Sequence, residues 1–146
     1  MPQKPHPLPV FPTPWLLSVL VVEDHDEMRS ALRAWLLTSF PPLRLREARS
    51  MDEALEFAGQ ALDLALVNLE LPGPNGIEVA RMLRRRQPAC RVVVMSVNDS
   101  TVLRTAALAA GAHAFVSKRD LRIALHPIVS ALLKARSRVA AHLESS

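Results

Sequence analysis

The 146-residue chain has no tyrosine and a single cysteine, Cys90. A lone cysteine cannot close an internal disulfide, which excludes a disulfide-stapled secreted fold, and no Cys/His cluster has the spacing of a structural zinc site. Long hydrophobic runs are also missing. The longest near the N-terminus, Trp15 to Val22, covers eight residues and includes Ser18, less than half of a membrane-spanning helix. A secretory signal needs an unbroken apolar stretch, and Pro5, Pro7, Pro9, Pro12 and Pro14 interrupt the approach to this one. A cytoplasmic protein without a membrane anchor is expected.

Charge of one sign is scarce outside a single segment. The formal net charge is +4, yet residues 1–117 carry 12 Lys and Arg against 12 Asp and Glu, while residues 118–146 carry six against two. Lys134, Arg136 and Arg138 stand close together there, with no aromatic residue between them to stack on bases. Cations near a helix C-terminus complement its dipole. Nucleic-acid binding through this basic end is therefore the last-ranked reading.

What is present suffices for one buried core: 49% of the residues are apolar and 22% are charged, which excludes a wholly disordered chain. Six of the 12 prolines fall in the first 14 residues and bar regular structure there. The expected organisation is a Pro-rich extended leader over 1–15, one domain over 16–138 and a C-terminal tail over 139–146. Within the domain, five short continuous apolar runs read as strands: Leu17 to Val22, Leu43 to Ala48, Leu64 to Leu69, Arg91 to Ser96 and Ala114 to Ser117.

Between them the spacing turns helical. Met28, Ala31, Leu32, Trp35 and Leu36 share one face, as do Met51, Ala54, Leu55, Ala58 and Leu62. Ser50 with Glu53, and Asn75 with Glu78, offer N-terminal caps for the second and third helices. Gly111 is placed to end a fourth, and a fifth repeats at Leu121, Ala124, Leu125, Ile128, Val129 and Leu132. Pro127 falls inside that last pattern and is expected to kink or restart the helix. Strands buried on both sides and alternating with amphipathic helices imply a doubly wound α/β domain, a flavodoxin-like five-stranded parallel sheet in the order 2-1-3-4-5 with five helices. Ligands and chemistry in such folds collect beyond the carboxyl ends of the strands.

Those ends carry Glu23 and Asp24 after the first strand, Asn68 after the third, Ser96 after the fourth and Lys118 after the fifth. Two adjacent acids can hold a hard divalent cation; Asp24 suits the ion and Asp26 suits a helix cap. Singly, a Ser or a Lys at a strand end says little. His25, His113, His126 and His142 show no ligand spacing, and nothing in the sequence marks Cys90 as reactive.

Taken together and in this order, these residues resemble the receiver domain of two-component response regulators, more narrowly the NarL/FixJ (LuxR-type) receivers. The resemblance covers roughly 17–133. It rests on Val21-Val22-Glu23-Asp24-His25, on Leu69 to Gly76 with its Leu-x-Leu-Pro-Gly-x-x-Gly pattern, on Val92 to Val97, and on Ala109-Ala110-Gly111-Ala112 followed by Phe115 and Lys118. It implies a CheY-like fold and no enzymatic activity. Glu23, Asp24 and the backbone carbonyl of Glu70 match the Mg²⁺ ligands, Ser96 and Lys118 the phosphoryl contacts, and Phe115 the aromatic that reports the state. Phe115 also reads as a plain core ring, and it lacks the hydroxyl that a tyrosine would bring.

Asn68 stands where the family's phosphoaccepting aspartate belongs. Phosphoryl transfer needs an oxygen nucleophile and a metal that neutralises the equatorial oxygens; a neutral amide is a poor nucleophile and removes one anionic ligand. Mg²⁺ binding is expected to be weak and ordinary phosphorylation absent. The expected function is a stand-alone atypical receiver in a phosphorelay, acting by protein–protein interaction. Its partner would be a histidine kinase, another regulator or an effector, or else a second copy through the fourth and fifth helices and the fifth strand. The alternative is a phosphoacceptor using Asp24, Ser96 or a deamidated Asn68, the last opposed by the branched side chain of Leu69. NarL-type receivers usually continue into a helix-turn-helix effector of about 60 further residues, and the chain ends at Ser146.

Overall fold

A computed structural model describes residues 16–145, with side chains to residue 135. The expected proline-rich leader over 1–15 and the side chains of Arg136 and Arg138 lie outside the described residues. The strands are β1 (Leu17–Val22), β2 (Leu43–Ala48), β3 (Leu64–Asn68), β4 (Arg91–Ser96) and β5 (Ala114–Ser117), and the helices α1 (Asp26–Ser39), α2 (Met51–Phe57), α3 (Gly76–Arg86), α4 (Thr101–Ala109) and α5 (Leu121–Ser145). The sheet is all parallel in the order β2-β1-β3-β4-β5. This is the expected doubly wound fold. β3 ends at Asn68, one residue before the apolar run does, although the Leu69 amide still donates to the Met95 carbonyl at 2.8 Å.

Successive strand residues point to opposite faces, and both faces are buried. Leu20, Val22, Ala65, Val67, Val92, Val94 and Phe115 pack with α2, α3 and α4 residues such as Ala54, Val79, Leu83 and Ala107. Val19, Val21, Leu64, Leu66, Val93 and Met95 pack against Leu32 and Leu36 of α1 and Leu121, Leu125 and Val129 of α5. With helices on both sides, β1, β3 and β4 need no polar face and read as mainly apolar runs, whereas the edge strand β2, with Arg44, Arg46 and Glu47, is buried only at its ends, Leu43 and Ala48.

Helix ends follow side-chain chemistry. Ser50 Oγ accepts from the Glu53 amide at 3.2 Å, and Glu53 Oε1 accepts from the backbone amide of Arg49, one residue earlier than in a capping box. Asn75 Oδ1 accepts from the amides of Ile77 and Glu78. Asp26 does not cap α1. It is the first helical residue, the cap position belongs to His25 without a side-chain bond, and the Asp26 carboxylate pairs with Arg29 at 2.6 Å. Gly111 ends the fourth helical segment with φ +111, a conformation that suits glycine. Pro127 does not restart α5, which is continuous from Leu121 and crosses residue 138 to reach Ser145. A short 3-10 turn, Lys118–Asp120, links β5 to α5.

Candidate functional site

The carboxyl ends of β1, β3, β4 and β5 converge, and three of the four buried polar side chains among the described residues, Glu23, Asn68 and Ser96, are found there. The Glu23 amide donates to the Ala48 carbonyl at 2.9 Å, extending the β1–β2 ladder by one bond. Its side chain is fully buried and meets Lys118, whose Nζ lies 3.1 Å from Oε2 and 3.3 Å from Oε1. A buried carboxylate needs such a partner. His25 Nδ1 approaches the same group at 3.3 Å and Asp24 at 3.7 Å. Arg29 braces the turn from below, donating to the Glu23 carbonyl at 2.9 Å and lying 3.6 Å from Glu47.

Asn68 is fully buried at the end of β3. Its Nδ2 donates to Asp24 Oδ1 at 3.0 Å and to the Glu70 carbonyl at 3.3 Å, and its Oδ1 accepts from the Glu70 amide at 3.3 Å. The amide orientation is fixed at both ends, because a carboxylate only accepts and a backbone N–H only donates. The α3 start closes in behind it. The Gly76 amide donates to the Leu69 carbonyl at 2.9 Å, and a Cβ on Gly76 would collide with the backbone carbonyl of Asn68.

On the other side, Ser96 Oγ donates to Glu70 Oε1 at 2.7 Å, the Val97 amide donates to the same oxygen at 2.8 Å, and the Asn98 amide donates to Ser96 Oγ at 2.9 Å. Phe115 is buried in the core on the α4 side. The Arg104 guanidinium lies 5.1 Å from its ring centroid, donates to its carbonyl at 3.2 Å and pairs with Asp99 at 3.6 Å.

Glu23, Asp24 and His25 each offer one ligand atom, all within 4.8 Å of one another. A hard dication needs free oxygen lone pairs. Here Lys118 faces both Glu23 oxygens, while the Asn68 amide takes Asp24 Oδ1 and the Glu70 carbonyl. Lys118 offsets one of the two negative charges and the Asn68 amide occupies oxygens a metal would use, so as disposed this donor set does not fit a tightly held Mg²⁺.

The response regulator receiver domain model matches residues 19–129. The chain belongs to the response regulator receiver domain family. It is 38% identical over 103 residues to the transcriptional activator protein ExaE of Pseudomonas putida, covering 70% of this chain and 48% of that protein. It is 32% identical over 116 residues to the nitrate/nitrite response regulator protein NarL of Escherichia coli K12, covering 75% and 53%. This receiver thus spans about half the length of those curated relatives. A LuxR-family two-component response regulator from Aurantimonas superposes with a TM-score of 0.72 at 27% identity, over 83% of this chain and 87% of that one. Among the described residues of the receiver, no helix is long and apolar enough to cross a membrane.

The five strand-end positions read from the sequence come together in the receiver as two linked groups, Glu23 with Lys118 and Asn68 with Asp24, Glu70 and Ser96. Three contributors had no role assigned from the sequence: His25, which lacks ligand spacing but adjoins both acids; Arg29; and the side chain of Glu70, where only the backbone carbonyl was expected to matter.

Proposed function

We propose that this chain is an atypical receiver that is not phosphorylated in the usual way and works by binding another protein. One observation carries the reading: the Asn68 amide sits between Asp24 and the Glu70 carbonyl and donates to both. An N–H group there offers no nucleophilic oxygen in line with an incoming phosphorus, and it occupies oxygens that a metal would use. Ser96 and Lys118, the positions matched to phosphoryl contacts, are engaged by Glu70 and Glu23. Mg²⁺ affinity is correspondingly weak.

The partner is a histidine kinase, another regulator or an effector, or a second copy. Exposed apolar side chains favour the end of β4 with the start of α4 as the contact surface: Val97 and Val102 are 69% and 77% exposed. Binding rather than catalysis is the output, and a cytoplasmic setting agrees with an unpaired, buried Cys90 thiol.

The test is incubation with acetyl phosphate and Mg²⁺ followed by intact-mass measurement. Wild type should stay unmodified and Asn68→Asp should gain one phosphoryl group. A phosphoryl group on wild type, whether on Asp24, Ser96 or elsewhere in the pocket, would overturn the reading.

A further inference from the structure

Two donors at the end of β4, the Ser96 hydroxyl and the Val97 amide, converge on one oxygen, Glu70 Oε1, at 2.7 and 2.8 Å. Convergent donors on a single oxygen make an anion cradle, and the short distances suit charge-assisted bonds. Glu70 is an exposed residue on a loop, where a carboxylate is free to point into water. It turns back instead, across 26 residues of sequence, to Ser96.

The backbone explains the turn. Asn68 engages both main-chain polar groups of Glu70, accepting from its amide and donating to its carbonyl. With both held, the Glu70 Cα has a set orientation and the side chain is aimed at β4. Ser96 is oriented as well: the Asn98 amide donates to its Oγ at 2.9 Å, which leaves the hydroxyl hydrogen for Glu70. The chain of bonds runs from Asp24 through Asn68 and the Glu70 backbone to the Glu70 carboxylate, and from there to Ser96 and Val97.

We infer that the Ser96–Val97 cradle is an oxyanion site whose resident ligand is the protein's own Glu70 carboxylate, held there by Asn68 in place of an external phosphoryl group. The inference rests on the reading of this pocket as one that is not phosphorylated, and it adds the reason an external oxyanion is kept out. A tethered carboxylate competes at the high effective concentration of an intramolecular group. Asn68 is a positioning residue in this scheme, acting through Glu70.

The experiment uses the full chain, labelled with ¹⁵N, and follows the Val97 amide while orthophosphate is added. In wild type, Val97 should resonate downfield, as an amide bonded to a carboxylate does, and should respond weakly to orthophosphate. In Glu70→Ala it should move upfield, and orthophosphate should then bind saturably with an affinity at least about tenfold higher than in wild type. Adding Ser96→Ala to Glu70→Ala should abolish that saturation. Thermal melts of each variant establish that it is folded, and Glu70→Met, which keeps the length of the side chain without its oxygens, serves if Glu70→Ala is not. A Val97 amide that does not move when Glu70 is replaced, or an orthophosphate titration matching that of wild type, would overturn the inference. The acetyl phosphate measurement keeps the two readings apart: modification of wild type removes the proposed function, while the Val97 shift judges the Glu70 contact by itself.

Discussion

Asn68 Nδ2 lies 3.0 Å from Asp24 Oδ1, so a hydrogen-bond donor faces the acid where an aspartate would bring a second negative charge. In Asn68→Asp that bond becomes a carboxylate–carboxylate repulsion, and the bond to the Glu70 carbonyl is lost as well. Hydrogen bonds to charged groups contribute about 1.5–3 kcal/mol. Without metal, Asn68→Asp should be destabilised by about that amount, and Mg²⁺ should restore most of it because bound metal stabilises the native state by linkage. Wild type should show little Mg²⁺-dependent change in Tm. Thermal melts of both proteins with and without Mg²⁺ check this, and a large Mg²⁺ effect on wild type would contradict a pocket whose oxygens are already engaged by Lys118 and Asn68.

The two glycines Gly76 and Gly59 should respond to alanine in opposite directions. A Cβ at Gly76 runs into the Asn68 backbone carbonyl, whereas at Gly59 nothing lies within 4 Å. Gly76→Ala should cost about 1–3 kcal/mol through overpacking against a backbone atom that cannot turn aside, despite the better helix propensity of alanine. Gly59→Ala should be neutral or stabilising by up to about 1 kcal/mol, from a less flexible unfolded chain. Urea denaturation of the pair distinguishes steric cost from backbone entropy.

The strands were legible because the sheet is covered on both faces, so runs such as Val92-Val93-Val94-Met95 had no polar interruption to obscure them. An apolar run does not mark where a ladder stops, and β3 therefore ended at Asn68 rather than Leu69. The strand ends gave Glu23, Asp24, Asn68, Ser96 and Lys118 because the topology sends them to one edge. The Glu70 side chain was not legible: its direction depends on Ser96 and Val97, far away in sequence, and on the two backbone bonds to Asn68. Asp26 looked like a cap by residue type, but Arg29 offers it an ion pair and the helix begins one residue earlier than a cap would allow. Pro127 lies within the second turn of a helix already held by Leu121, Leu125 and Val129 in the core, and that packing outweighs one lost amide donor.

His113 should make the fold acid-sensitive in a modest, defined way. Its Nδ1 accepts from the Val92 amide at 3.1 Å while its own backbone amide donates to the Val92 carbonyl at 2.8 Å. Only an unprotonated Nδ1 can accept. Burial, then the Arg84 and Arg91 cations, lower the imidazole pKa from its ordinary 6.5. The unfolded chain therefore binds the proton more readily than the folded one, so this contribution to stability is full above 6.5 and is lost as pH falls through the folded value. His113→Gln supplies a non-titrating acceptor and should flatten the fall in Tm between about pH 7 and pH 5 by about a degree or two. Identical pH profiles for the two proteins would exclude the role.

Cys90 should be silent toward thiol reagents until the protein opens. It is fully buried, and burial, reinforced by the nearby Asp63 carboxylate, pushes the thiol up to about 12. The thiolate is the reactive form, and three units above the ordinary thiol value of 9.0 lower its fraction about a thousandfold at neutral pH. Ellman's reagent should react with the denatured chain at least about a thousandfold faster than with the native one. Fast native-state labelling would mean that the α3–β4 edge opens locally.

Lys118 is the only lysine or arginine among the described residues within salt-bridge distance of the fully buried Glu23 carboxylate, and the His25 ring that also approaches it is 72% exposed. Removing one partner of a buried pair strands the other, at about 3–5 kcal/mol, whereas replacing both leaves no charge to strand. Lys118→Met should therefore destabilise the protein by about that amount, and adding Glu23→Gln should recover most of the loss. The double-mutant cycle, read from urea midpoints at fixed pH, gives the coupling directly. A coupling below about 1 kcal/mol would class the pair with exposed ion pairs and would mean that the buried Glu23 carboxylate does not depend on Lys118 for its compensation.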